Sequence, residues 1–277
     1  MCPDINILGM TLYDISICVG IIFCFIVFGR LADKRKLRGK LQNFSLLCGV
    51  FAIMLGLGSA VLFQAIYNIA STGKFEIVEN TGATFYGGLI GGVVTFLILY
   101  FGIGHVVMKR AGLEGYHAKS FFTMASCGVP SIVIAHAFGR LGCLTAGCCH
   151  GAPTDAWFGI LMYGNQGHIK YVPIQLFEAI FLFILFGLLY INAKEGKRYN
   201  LSLYMSIYGA WRFIIEYLRA DYRGSVGLPI TPSQLIALLM IAGAVGVFFL
   251  EKKVVDKLEA AEKENSEKGD RIENQVE

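Results

Sequence analysis

The chain is 277 residues long, and 55% of it is apolar before its 33 glycines are counted; the mean hydropathy is +0.59. A soluble globular domain holds roughly 45–50% apolar residues with glycine included, so composition excludes that class and defines an integral membrane protein. The formal net charge of +4 reflects membrane topology and makes no case for nucleic acid.

A bilayer core of about 30 Å needs about 20 apolar residues per helix. Stretches of that kind run over residues 11–30, 44–67, 85–108, 120–147, 173–192, 199–218 and 230–250. They predict an all-α bundle of about seven transmembrane helices. Arg30, Lys34, Arg35, Lys36, Arg38 and Lys40 follow the first span, Lys109, Arg110 and Lys119 follow the third, and Lys194, Lys197 and Arg198 follow the fifth. Because positive loops stay in the cytoplasm, the N-terminus is expected outside and the C-terminus inside. No basic segment precedes the first span, which reads as a retained helix in a chain beginning near Met1. Residues 1–250 are expected to form one transmembrane catalytic domain. Residues 251–277, polar and of mixed charge, are expected to be a cytoplasmic tail that starts as a short frayed helix and passes into disorder.

In the first span, Tyr13 and Asp14 stand where the helix enters, with Asp14 at the aqueous interface. Gly56, Gly58, Ser59 and Ala60 of the second span are small residues suited to close helix packing. The third opens with FYGGLIGGVV, where Gly87, Gly88, Gly91 and Gly92 either meet a neighbouring helix or let a polar ligand reach the first amides. Tyr86 beside them offers a hydroxyl.

Arg140 is the centre of the fourth span, which Pro130 is expected to kink. A guanidinium keeps its charge, and at bilayer depth it costs about 2.5–3.5 kcal/mol even on the lenient insertion scale, so it demands an anionic partner or a wet cavity. Snorkelling to lipid phosphates is the alternative. His136, one turn earlier on the same face, is a hydrogen-bonding residue or a base. Cys143, Cys148, Cys149 and His150 follow. Their spacing matches no common zinc pattern, and adjacent cysteines rarely both bind one tetrahedral ion, so no metal is assigned. Packing, redox or nucleophilic chemistry and metal ligation stay open for the three thiols. Trp157, Tyr163 and Tyr171 suit the headgroup layer.

Span five starts at Pro173, with Gln175 and Glu178 on one face just inside the membrane. That acid needs a cation, which Arg140 or Arg212 can supply. Span six places Tyr208, Arg212, Glu216 and Arg219 four, four and three residues apart, on one stripe that cannot face lipid. Thr231 or Ser233 is expected to cap span seven, with Pro232 in its first turn.

Arginines converging with acids, a glutamine and tyrosines inside a helical bundle make an anion pocket, and the anion at that depth is a lipid phosphate. With Tyr13, GGLIG at 87–91, GRLG at 139–142, PIQLFE at 173–178 and YGAWRFIIEYLR at 208–219, the chain resembles the prolipoprotein diacylglyceryl transferase family. The resemblance implies an enzyme of the bacterial cytoplasmic membrane, its site towards the outer leaflet, without a cofactor. Its partners would be phosphatidylglycerol, as membrane lipid, and the signal peptide of a lipoprotein precursor. It would move a diacylglyceryl group to the lipobox cysteine and release glycerol phosphate. On that likeness Arg140 and Arg212 hold the phosphate, Glu216 holds Arg212, Tyr208 donates to the headgroup, and Gln175 with Glu178 shapes the pocket. Tyr86 completes the catalytic set, and Tyr13, Gly87, Gly88, Gly139 and Arg219 join the substrate-binding one.

The chain departs from the family pattern at three places. Tyr86 replaces a histidine, Cys143, Ala146 and Cys148 replace two asparagines and a glutamate, and Val172 replaces a histidine. A paralogue that uses another acceptor, a lipid-binding protein without turnover and a cysteine-based redox or metal protein are the competing readings.

Overall fold

The computed structural model describes residues 6–7, 9–72, 85–161, 169–219 and 229–273; the side chains of residues 6, 7, 67, 70–72, 85, 86 and 258–273 lie outside the description. The helices in chain order are α1 (Leu12–Lys34), α2 (Gly39–Thr72), α3 (Phe85–Leu97), α4 (Gly104–Arg110), α5 (Tyr116–Lys119), α6 (Phe121–Ala146), α7 (Ile174–Lys194), α8 (Asn200–Ile215) and α9 (Pro232–Glu273). A π-helical turn, Ile98–Ile103, joins α3 to α4. Strands β1 (Asn6–Ile7) with β2 (Met10–Thr11), and β3 (Ile160–Leu161) with β4 (Lys170–Tyr171), make two short antiparallel ribbons.

Among the described residues, six helical stretches are long and apolar enough to cross a membrane. They coincide with the expected spans except the sixth. There α8 has 16 residues and tightens into a 3-10 turn at Glu216–Leu218. At about 1.5 Å per residue it falls short of the hydrocarbon thickness, which suits a segment carrying Arg212 and Glu216. The expected frayed tail is instead helical through Glu273, and its first residue, Glu251, is fully buried and accepts a hydrogen bond from Ser202.

The chain forms two compact units, Met1–Arg35 with Phe122–Glu277, and Lys36–Phe121. In the smaller unit, α2 and α3 approach through small residues. A Cβ on Gly87 would stand 2.5 Å from Phe63 Cβ, one on Gly91 would collide with Ser59, and one on Gly56 would lie 2.9 Å from the Gly88 carbonyl oxygen. Ser59 closes the contact by donating to the Gly87 carbonyl at 2.9 Å.

In the larger unit the core forms where α6, α7 and α8 meet, from Val129, Val133, Ala137, Leu182, Leu185, Leu189 and Tyr208. Pro130 lies within a continuous α6. Having no N–H, it frees the Ser126 carbonyl one turn back. The buried Asn200 amide donates to that carbonyl at 2.9 Å and to the Leu189 carbonyl at 2.8 Å, so one side chain satisfies the vacancy and joins three helices. Close approach of α9 to α8 depends on Gly209, where a Cβ would stand 2.9 Å from Ile241.

Candidate functional site

Glu178, fully buried on α7, is the point on which three helices converge. From α6, Arg140 Nε lies 3.0 Å from Glu178 Oε2 and His136 Nε2 lies 3.9 Å from Oε1. From α8, the Tyr208 hydroxyl donates to Oε1 at 2.9 Å. The acid expected to need a cation has Arg140. His136 meets Tyr208 edge-on at 5.4 Å, and Tyr204, one turn before Tyr208 on the same face, stacks on it at 5.4 Å. Tyr208 was expected to donate to a headgroup; its hydroxyl is committed to Glu178.

Arg212 makes a second, adjoining group. Its Nη1 lies 2.8 Å from Glu216 Oε2 and its Nη2 donates to Ser233 Oγ at 3.1 Å. Thr231 Oγ1 donates to Glu216 Oε1 at 3.0 Å. Thr231 also caps α9 reciprocally with Gln234: its hydroxyl accepts from the Gln234 N–H at 3.2 Å, and its own N–H donates to Gln234 Oε1 at 3.0 Å. Sequence reasoning saw Thr231 and Ser233 only as caps. Their second task, holding the Arg212–Glu216 pair, had no local signal. The two groups share one electrostatic environment, since Arg140, His136 and Arg212 all act on Glu178, and both arginines act on Tyr208.

The four-residue stripe of span six breaks after Glu216. Arg219 has extended backbone, φ −86° and ψ 144°, and bridges Gly151, so it leaves the helical face shared by Tyr208, Arg212 and Glu216. Tyr13 is 37% exposed and lies against Gly142, where a Cβ would stand 3.1 Å from its ring. Asp14 forms a capping box with Thr11, accepting from the Thr11 N–H at 3.0 Å. A Cβ on Gly139 would meet nothing within 4 Å. Gly87 and Gly88 meet α2 as described, and the Tyr86 side chain lies outside the described residues. Tyr163 lies there too. Trp157 is 91% exposed, as a headgroup residue would be, but Tyr171 is buried and carries the His150 ring at 4.1 Å.

Gln175 faces the same way as Glu178, one turn earlier, yet it reaches the cysteine loop: its Nε2 donates to the Cys148 carbonyl. Cys143, Cys148 and Cys149, whose adjacency argued against a common ligand, have all three sulfurs within 4.8 Å of one another. Contact with Cys143 lowers the Cys148 thiol pKa, but contact with Cys149 and burial carry it above the ordinary cysteine value.

Two guanidiniums, each paired to a carboxylate inside an apolar helical bundle, are an arrangement that at bilayer depth is rare and marks function. The family described as prolipoprotein diacylglyceryl transferase matches residues 3–250, and the chain belongs to it. It is 32% identical over 249 residues to the phosphatidylglycerol–prolipoprotein diacylglyceryl transferase of Clostridium tetani, covering 87% of this chain and 92% of that one. Transferase 2 of Clostridium perfringens is 31% identical over 241 residues, with 76% and 94% covered. The Finegoldia magna enzyme is 29% identical over 253 residues, with 88% and 92% covered.

Proposed function

We propose that the chain transfers the diacylglyceryl group of phosphatidylglycerol to the lipobox cysteine thiol of a lipoprotein precursor, in a bacterial cytoplasmic membrane and from the outer leaflet. The acceptor sulfur forms a bond to the glycerol carbon that carries the phosphate, the carbon–oxygen bond breaks, and glycerol phosphate leaves with the electron pair on oxygen. The thiol proton passes to solvent or to a base beside the site.

On this reading Arg140 and Arg212 hold the phosphate and meet the charge that grows on the departing oxygen, the kind of preorganised stabilisation that usually contributes most to such a step. Glu178 takes Arg140 by Nε, which turns the terminal amino groups of the guanidinium towards an anion. Glu216 and Ser233 orient Arg212. Tyr208 orients Glu178, and Gly139, with open space beside it, leaves room for lipid. The outer-leaflet assignment is supported by the Lys and Arg that follow α1, α4 and α7, because loops rich in positive charge stay in the cytoplasm.

The observation that carries the reading is the convergence of Arg140, Glu178 and Tyr208 beside Arg212 in a chain that belongs to this family over residues 3–250. The test supplies purified protein with labelled phosphatidylglycerol and a lipobox peptide. A thioether-linked peptide and free glycerol phosphate are expected. Arg140→Ala and Arg212→Ala are expected to lower the rate at least about 100-fold, the loss typical when a charge-stabilising donor is removed. Intact lipid recovered with no thioether from the wild-type protein would overturn the assignment.

A further inference from the structure

The cysteine loop is built to bring three sulfurs together. Helix α6 ends with Gly147 in left-handed backbone, φ 70°. The Gly147 N–H donates to the Leu144 carbonyl at 3.2 Å and the Cys148 N–H to the Cys143 carbonyl at 3.1 Å, the bond pair of a Schellman turn. Such a turn folds the residue after the glycine back over the residue five before it, where most helices place an apolar contact. Here those two residues are Cys148 and Cys143. Cys149 then takes φ 60°, a conformation that costs a residue with a Cβ about 1–2 kcal/mol, and the reversal returns its thiol to the other two.

The loop is fixed from both sides. Gln175, fully buried, donates to the Cys148 carbonyl, the Gly151 N–H donates to the Val172 carbonyl at 2.8 Å, and the Ala152 N–H donates to the Leu218 carbonyl at 3.2 Å. No disulfide joins the three cysteines. Their mutual separations, all within 4.8 Å, accommodate one ion: zinc–sulfur bonds of about 2.3 Å set tetrahedral ligands about 3.8 Å apart. Three thiolates around a divalent ion carry one net negative charge, and Arg140, one turn before Cys143, places the positive end of its ion pair with Glu178 in the field of Cys143 and Cys149.

We propose that Cys143, Cys148 and Cys149 bind a thiophilic divalent ion of the zinc class, with its fourth position open to an incoming substrate thiol. Four protein ligands close a structural zinc site, whereas three leave a position for substrate, and exposed Cys148 puts that position within reach of solvent. Resting on the transferase reading, the ion activates the acceptor thiol. An acceptor cysteine that enters the fourth position releases its proton to water and is held as a thiolate. Its sulfur then bonds to the diacylglyceryl carbon, the metal–sulfur bond gives way to the thioether, and the phosphate oxygen departs. The layers match: Cys143 follows Arg140 by one turn on α6, and Gln175 precedes Glu178 by one turn on α7.

Cobalt(II) chloride titrated into reduced full-length protein in detergent, without lipid donor, tests the site. One cobalt per chain with a sulfur-to-cobalt charge-transfer band is expected. Cys143→Ser, Cys148→Ser and Cys149→Ser should each lose the band while eluting as folded protein, and Cys18→Ser, outside the cluster, should keep it. A lipobox peptide should strengthen the band and its serine analogue should not. No stoichiometric cobalt, or a band indifferent to the three serine variants, overturns the site; a band that the peptide thiol leaves unaltered overturns the open position. An intact band in a protein that never transfers lipid would sink the function proposed above and leave the ion site standing.

Discussion

Glu178 shows how much a single buried carboxylate can determine. Fully buried, it draws Arg140 from α6 and the Tyr208 hydroxyl from α8. Replacing it with alanine strands a guanidinium and a phenol in the interior, and removal of one partner of a buried pair costs about 3–5 kcal/mol. Glu178→Gln keeps an acceptor for Tyr208 and is expected to cost less. Thermal unfolding in detergent should therefore rank wild type above glutamine above alanine; equal midpoints for glutamine and alanine would show that the hydrogen bond to Tyr208 contributes nothing. That this acid would find an arginine was legible in the sequence, because a charge at that depth needs a counter-charge. Which arginine it would be was not, since Arg140 and Arg212 satisfy the same electrostatic requirement and only the packing of α6 on α7 separates them. Ser233 was invisible as a ligand of Arg212 for the same reason: its contact spans 21 residues of sequence and leaves no periodic trace.

At the scale of elements, hydropathy located the long helices well, because about 20 apolar residues leave few alternatives in lipid. It overran at α8. Tyr217 and Leu218 continue the apolar pattern, yet the backbone tightens there, Arg219 takes extended backbone in a bridge with Gly151, and a helical stripe drawn through Arg219 is one step too long. The small residues of α2 and α3 were readable as a packing surface, and their geometry makes a sharp prediction. Gly91→Leu drives its Cβ into Ser59, whereas the Cβ of Gly58→Leu meets nothing within 4 Å. The first should lose about 1–3 kcal/mol of stability and the second almost none. Comparable melting temperatures for the two variants in the same detergent would contradict the packing described for this pair of helices.

For the whole molecule, membership of the transferase family extends over residues 3–250, but the local chemistry along the chain is uneven. Arg140, Glu178 and Tyr208 meet in one group, while three thiols gather in the loop that ends α6. The physical unity of the site comes from three successive helices: α7 carries Glu178, α6 brings Arg140 and His136 to it, and α8 brings the Tyr208 hydroxyl and sets Arg212 within its field. Two arginines that grip one phosphate must be energetically coupled, and two that serve separate local pairs must not. Phosphatidylglycerol affinity measured for wild type, Arg140→Ala, Arg212→Ala and the double variant therefore tests the account most directly. The account predicts that each single substitution weakens binding at least about tenfold and that the double variant loses much less than the sum, with a coupling energy of about 0.5–3 kcal/mol. Strictly additive losses, or affinity unchanged in either single variant, would contradict it.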